Sequence, residues 1–72
     1  ASFLFVREEN PLSEREREVL RLAAKGKTTD QIAATLFLTK GTVRNYLSSA
    51  IQKLEVQTRQ QAINKATEKG WI

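Results

Sequence analysis

A short helix-start pattern at three places in this sequence limits the folds that the chain can adopt. The pattern is a hydroxyl residue followed three positions later by Glu or Gln, at Ser13 and Glu16, at Thr28 and Gln31, and at Thr58 and Gln61. In such a capping box the two side chains satisfy backbone amides that are left free where a helix begins. We therefore expect a helix to start at each of these positions.

Helix-stop residues and a further cap extend this pattern to an all-α fold. A helix should begin just after Pro11, because the residue before a proline is kept out of helical geometry, and it should stop at Gly26. Thr39 is placed to cap another helix. The prediction is a four-helix bundle with no strands and with helices at about 13–25, 29–36, 40–54 and 58–69.

The second and third predicted helices form a helix-turn-helix. The second helix is short, and only Phe37 and Leu38 separate it from Thr39, so the two helices should meet at an angle. Apolar residues recur at helical spacing on one side of the third helix, at Val43, Leu47, Ala50, Ile51 and Leu54. The opposite side carries basic, amide and hydroxyl side chains. Trp71 and Ile72 are expected to cover the core.

Length and composition indicate one small folded domain. The chain has 72 residues, of which 40% are apolar and 28% charged, and we assign 1–11 to the end of a linker and 12–72 to the domain. No apolar run approaches the roughly 20 residues of a membrane span, and the first residues do not resemble a signal peptide. We expect a cytoplasmic protein with no membrane contact.

The absence of Cys and His argues against an enzyme. It excludes disulfides, metal sites built from these residues and imidazole acid–base chemistry. Glu14, Glu16 and Glu18 could be imagined as catalytic carboxylates, but they alternate with Arg15 and Arg17, which is typical of a salt-bridged helix. We expect no catalytic residue, no metal and no cofactor.

The polar side of the third helix indicates a nucleic-acid partner. Between 40 and 53 the chain has three basic residues and no acidic one, as expected opposite a polyanion, although a net charge of +4 alone usually reflects solubility. In the major groove Arg pairs with guanine and Asn with adenine, so the candidate base contacts are Arg44, Asn45 and Ser48. The competing interpretation is that these exposed side chains are only solvated.

Helix amino ends supply candidate phosphate contacts, because their amides and the helix dipole attract a phosphate oxygen. Such contacts orient a protein on DNA without reading its sequence. The predicted phosphate contacts are Thr28, Thr29, Thr39, Lys40, Thr42 and Lys53. Thr28 and Thr39 are helix caps in either case. Tyr46 could touch a base or a phosphate, but packing against a neighbouring helix explains it at least as well.

These motifs together resemble the LuxR/NarL family of helix-turn-helix domains, also called FixJ. The residues that carry the resemblance lie in 12–20, 24–28, 31–33, at 36, and in 42–44, 53–54 and 59–62. Many members have His where this chain has Tyr46, Asn where it has Thr29, and Lys where it has Ser48. The strings 41–46 and 68–71 also resemble one Gram-positive regulator within this family.

The resemblance implies the effector domain of a bacterial response regulator, which follows a receiver domain that is phosphorylated on aspartate. In the family, positions matching Arg44, Asn45 and Ser48 face bases. Those matching Thr39, Lys40 and Thr42 lie near phosphates. The fourth helix commonly forms the dimer contact, which falls here on Gln60, Gln61 and Asn64. The expected partners are double-stranded DNA, a second copy of the chain and the receiver domain, with RNA polymerase as a further candidate.

The sequence is compatible with two functions. The first is a sequence-specific transcriptional regulator that binds an inverted repeat as a dimer, with half-sites about one helical turn apart. The alternative is a helix-turn-helix module that binds a protein partner and does not read DNA sequence. DNA binding through several phosphates should weaken by roughly tenfold or more between low and physiological salt, whereas a mainly apolar protein contact should hardly change.

Overall fold

The computed structural model describes residues 10–72, which form four helices. These are α1 (Glu14–Ala24), α2 (Thr29–Leu36), α3 (Lys40–Lys53) and α4 (Arg59–Glu68). The predicted all-α fold is confirmed, no strand occurs in the described part of the chain, and each helix end lies within one residue of its predicted place. No helix of residues 10–72 is long and apolar enough to cross a membrane. Most of the predicted linker end, residues 1–9, lies outside the described residues.

Local capping explains why the helices begin where they do. At the start of α1, the Ser13 hydroxyl oxygen accepts the Glu16 N–H at 3.2 Å, and the Glu16 carboxylate accepts the Ser13 N–H at 2.7 Å. The same reciprocal pair forms at the starts of α2 and α4. At the start of α3, the Thr39 hydroxyl oxygen accepts the Thr42 N–H at 3.1 Å. The capping residues lie just outside the helices, which accounts for the small differences from the predicted bounds.

The core is built around α3, which packs against each of the other three helices. The predicted inward side of α3 is buried, except that Ile51 is only partly buried at the edge of the core. The buried apolar residues from the whole domain are Leu12, Val19, Leu20, Ala23, Ile32, Ala33, Val43, Leu47, Ala50, Leu54, Ala62, Ile63 and Ala66. Burial of this shared cluster supplies the main favourable term that holds four short helices together.

The two ends of the described chain meet. The Asn10 amide nitrogen donates to the Trp71 carbonyl at 3.3 Å, while the Asn10 side-chain oxygen accepts the Leu12 N–H at 2.9 Å. Trp71 and Ile72 pack, partly buried, against the core, as the sequence predicts. This contact fixes the approach to α1 and closes the bottom of the bundle.

The turn of the helix-turn-helix contains an unusual residue. Phe37 ends α2 with a left-handed backbone, φ +57°, and its N–H donates to the Ala33 carbonyl. Its side chain is 94% exposed, whereas the next residue, Leu38, packs against the core. Left-handed geometry is unfavourable for a residue with a β-carbon, and here almost no burial of the ring compensates.

Replacing Phe37 by glycine should therefore stabilise the domain. We expect Phe37→Gly to raise the free energy of unfolding by about 0.5–1 kcal/mol, because glycine adopts this backbone without steric cost and little buried area is lost. Urea titration followed by circular dichroism measures the change.

Gly26 provides the matched control for this prediction. It also has a left-handed backbone, φ +86°, and a β-carbon there would meet no atom within 4 Å. Gly26→Ala should therefore lower the free energy of unfolding by about 1 kcal/mol through backbone strain alone. Destabilisation by Phe37→Gly of the same size would show that the phenyl ring packs and would contradict the prediction.

Candidate nucleic-acid interface

The exposed side of α3 carries the three predicted base contacts. Burial of its apolar side fixes the rotation of the helix, so Arg44, Asn45 and Ser48 all lie exposed on the opposite side. Within residues 10–72, none of these three side chains takes part in a hydrogen bond or an ion pair. The middle of α3 thus presents one guanidinium, one carboxamide and one hydroxyl that are available to a ligand.

Two more residues share this exposed side and were not among the predicted contacts. Gln52 lies one turn beyond Ser48 and is exposed. Gly41 lies one turn before Asn45, and a β-carbon there would only touch the Thr39 hydroxyl oxygen at 3.9 Å. The fold therefore does not require a glycine at this position, and its bare backbone leaves room for a close approach from outside.

Two of the four threonines predicted to contact phosphate, Thr28 and Thr39, are engaged in capping. Thr28 and Thr39 are exposed N-caps, and the Thr39 hydroxyl also donates to the Thr42 hydroxyl oxygen at 2.9 Å. Thr29 and Thr42 are half-buried in the first turns of α2 and α3. These positions keep the amino ends of both helices open to solvent, where their amides can meet an anion.

The loop before α2 is held in place by a residue of α4 that is distant in sequence. The guanidinium of Arg59, the first residue of α4, donates to the Lys27 carbonyl at 3.0 Å, immediately before the Thr28 cap. A contact between residues 32 positions apart therefore fixes the loop that leads into the helix-turn-helix.

The two predicted phosphate-binding lysines lie in different surroundings. Lys40, at the start of α3, forms an ion pair with Asp30 of α2 at 3.2 Å, and both side chains are more than half exposed. Lys53, at the end of α3, forms an ion pair with Glu16 of α1 at 2.8 Å, and the Glu16 side chain is only 3% exposed. The structure thus leaves Lys40 at the surface, whereas it directs the ammonium group of Lys53 towards α1.

Glu16 is a buried carboxylate that the sequence pattern did not reveal. Burial raises its pKa, whereas hydrogen bonds from Lys53 and from the Ser49 hydroxyl lower it. Together with the hydrogen bonds from Ser13, these bring the pKa of Glu16 to about 2, below its ordinary value of 4.5. Ser49, in α3, is half-buried. Glu16 ties the start of α1 to the last turns of α3.

This carboxylate should make the stability of the domain depend on pH. Because the pKa of Glu16 is lower in the folded chain, its contribution is present in full above about pH 5 and is lost as the pH falls towards 2. A shift of this size corresponds to about 3 kcal/mol. We expect Glu16→Gln to lower the free energy of unfolding at pH 7 by about 2–3 kcal/mol and to flatten this dependence.

The control is Glu14→Gln, which removes an exposed carboxylate from the same helical turn. Its cost should be about 0.5 kcal/mol or less, with the acid-induced loss of stability retained. Equal effects of the two substitutions, measured by urea titration between pH 2 and pH 7, would contradict the assigned role of Glu16.

The predicted dimer residues on α4 divide into two groups. Gln60 and Asn64 lie one turn apart on the exposed side, joined by a hydrogen bond of 3.0 Å between their amides. The Gln61 side-chain oxygen instead accepts the N–H groups of Gln57 and Thr58 at 2.9 and 3.2 Å, inside the capping box of α4. Gln60 and Asn64 are thus the members of this set that a second chain could meet without disturbing a cap.

Tyr46 packs, partly buried, against the core. This agrees with the packing role that the sequence left open beside contact with DNA. Its position on the flank of α3 separates it from the exposed side that carries Arg44 and Ser48.

The arrangement defines a helix-turn-helix domain: a short α2, a tight turn, and a longer α3 whose polar side faces outward while α1 and α4 support its apolar side. Residues 10–66 match the model of the family described as "Bacterial regulatory proteins, luxR family". The chain belongs to this family, and it is a helix-turn-helix domain of the DNA-binding, transcription-regulating class. The resemblance inferred from the sequence is thus confirmed.

Individual relatives agree with this assignment. The chain is 56% identical over 71 residues to the uncharacterized transcriptional regulatory protein YvfU and 55% identical over 65 residues to the transcriptional regulatory protein DesR, both from Bacillus subtilis. These matches cover 99% and 90% of this chain, but only 36% and 33% of the relatives. DesR is the Gram-positive regulator that the strings 41–46 and 68–71 resemble.

A solved structure of the transcription factor GerE shares the fold. It superimposes with a TM-score of 0.82 at 39% sequence identity, covering 86% of this chain and 92% of that one. The chain therefore superimposes on nearly the whole of that solved GerE chain but spans about a third of the length of YvfU and DesR.

Proposed function

We propose that this domain binds double-stranded DNA sequence-specifically, with α3 in the major groove. The main support is that Arg44, Asn45 and Ser48, in the middle of α3, are exposed and have no polar partner among residues 10–72. In the major groove, Arg pairs with two acceptors of guanine, and Asn pairs with an acceptor and a donor of adenine. Their hydrogen-bonding groups are available without breaking an internal contact.

Phosphate contacts around this helix would set its orientation. The amino ends of α2 and α3, with the caps Thr28 and Thr39, offer backbone amides to two phosphates, supported by Thr29 and Thr42. Lys40 adds an exposed positive charge beside them. We place Lys53 last among the predicted phosphate contacts, because it would have to leave the buried Glu16 carboxylate to reach DNA.

The bound form in this proposal is a dimer on an inverted repeat. Each chain reads one half-site, the half-sites lie about one helical turn apart, and the exposed Gln60 and Asn64 of α4 form the contact between chains. The chain would then be the effector part of a response regulator, controlled by a receiver domain, acting in the cytoplasm with RNA polymerase as a downstream partner. About two thirds of YvfU and of DesR lies outside the matched region, which supports the presence of a further domain such as a receiver.

Substitution of Arg44 and Asn45 tests the docking directly. On a duplex carrying the preferred half-sites, Arg44→Ala and Asn45→Ala should each weaken binding by about 1–3 kcal/mol and relax base preference at the contacted position. Fluorescence anisotropy with specific and random-sequence duplexes at fixed salt measures both effects.

Arg21→Ala on the exposed surface of α1 is the matched control, because it removes the same charge without touching α3. It should leave base preference unchanged. If Arg44→Ala and Asn45→Ala also left affinity and preference at the level of this control, α3 would not be the reading helix.

A further inference from the structure

The contact between Asp30 and Lys40 has a consequence for DNA binding that goes beyond the assignment of α3. Asp30 lies in the first turn of α2 and is 68% exposed, and its carboxylate holds the Lys40 ammonium group at 3.2 Å. It thus places a negative charge beside the capped amino ends of α2 and α3. In the proposed DNA complex, phosphates bind at these helix ends. The inference therefore rests on the proposed function.

Asp30 and a phosphate would compete for the same cation. An exposed ion pair in water is weak and exchanges readily, so Lys40 can leave Asp30 when a phosphate approaches. Lys53 is the internal contrast, because its partner Glu16 is buried and is also held by the Ser13 N–H at 2.7 Å. Of these two lysines, Lys40 is the one whose charge can be transferred to DNA.

We propose that Asp30 restrains sequence-independent binding by occupying Lys40, so that the domain holds the DNA backbone less tightly than its basic residues alone would allow. The restraint acts equally on every sequence, because phosphates are the same at every base step. Its physical basis is that each neutralised phosphate releases counterions, and a carboxylate beside the cation reduces the net charge that reaches the DNA. Asp30 is in this sense a positioning residue that acts through Lys40.

The test uses Asp30→Asn, which keeps the shape of the side chain and removes its charge. On a random-sequence 20-base-pair duplex, we expect binding to tighten by roughly threefold to tenfold. The slope of log K against log salt should become steeper by up to about 0.9, the value for one additional phosphate neutralised. A merely structural role of Asp30 would not steepen this slope.

Two further variants make the result specific. Glu68→Gln changes the net charge by the same amount at an exposed position in the last turn of α4, and it should tighten binding less than twofold. In a Lys40→Met background, Asp30→Asn should likewise give less than a twofold change, because the cation that Asp30 occupies is gone. All variants are compared at equal helical content by circular dichroism.

Unchanged affinity and salt slope in Asp30→Asn would overturn the proposal, as would equal tightening by Glu68→Gln or full tightening in the Lys40→Met background. Different measurements test the role of Asp30 and the proposed function, so either can fail without the other. The proposed function is decided by base preference in Arg44→Ala and Asn45→Ala, whereas the role of Asp30 is read on random-sequence DNA, where base contacts contribute little.

Discussion

Burial of the apolar side of α3 determines how the four helices are arranged. Val43 and Ala50 are fully buried, and α3 packs against all three other helices, so the rotation of α3 about its axis is fixed. The polar side can then be exposed only in one direction, away from the bundle. The shape of the candidate interface is therefore a consequence of core packing, and α1 and α4 contribute to it without lying in it.

Both ends of the helix-turn-helix are held by contacts from outside it. At the end of α3, the Leu54 carbonyl accepts from the ammonium group of Lys65 at 2.7 Å, and Lys53 meets Glu16. Before α2, the Lys27 carbonyl accepts from Arg59. None of these contacts involves the middle of α3, and the ion pair at its start, between Lys40 and Asp30, is exposed. The two lysines at the ends of α3 thus differ: Lys40 is paired with an exposed carboxylate, and Lys53 with a buried one.

The helices and the exposed side of α3 were predictable from sequence because both depend on near neighbours. A capping box involves residues three positions apart, and the apolar side of α3 repeats with the helical period, so local pattern was sufficient. The burial of Glu16 was not predictable in this way. Its neighbours alternate in charge as on a solvated helix, and its partner Lys53 lies 37 positions away. For the same reason Lys53 was grouped with the phosphate contacts, and Asp30 was not connected with Lys40.

The proposed reading of DNA sequence by α3 in a symmetric dimer can be tested by selecting bound duplexes from a random pool. The domain is incubated at about physiological salt, where purely electrostatic binding is weakened, with duplexes of random sequence, and the bound duplexes are recovered and sequenced over successive rounds. A symmetric dimer should enrich an inverted repeat whose half-site centres are about one helical turn apart. If the pool stays random while the folded domain binds it, α3 does not read DNA sequence, and a module that recognises a protein is favoured.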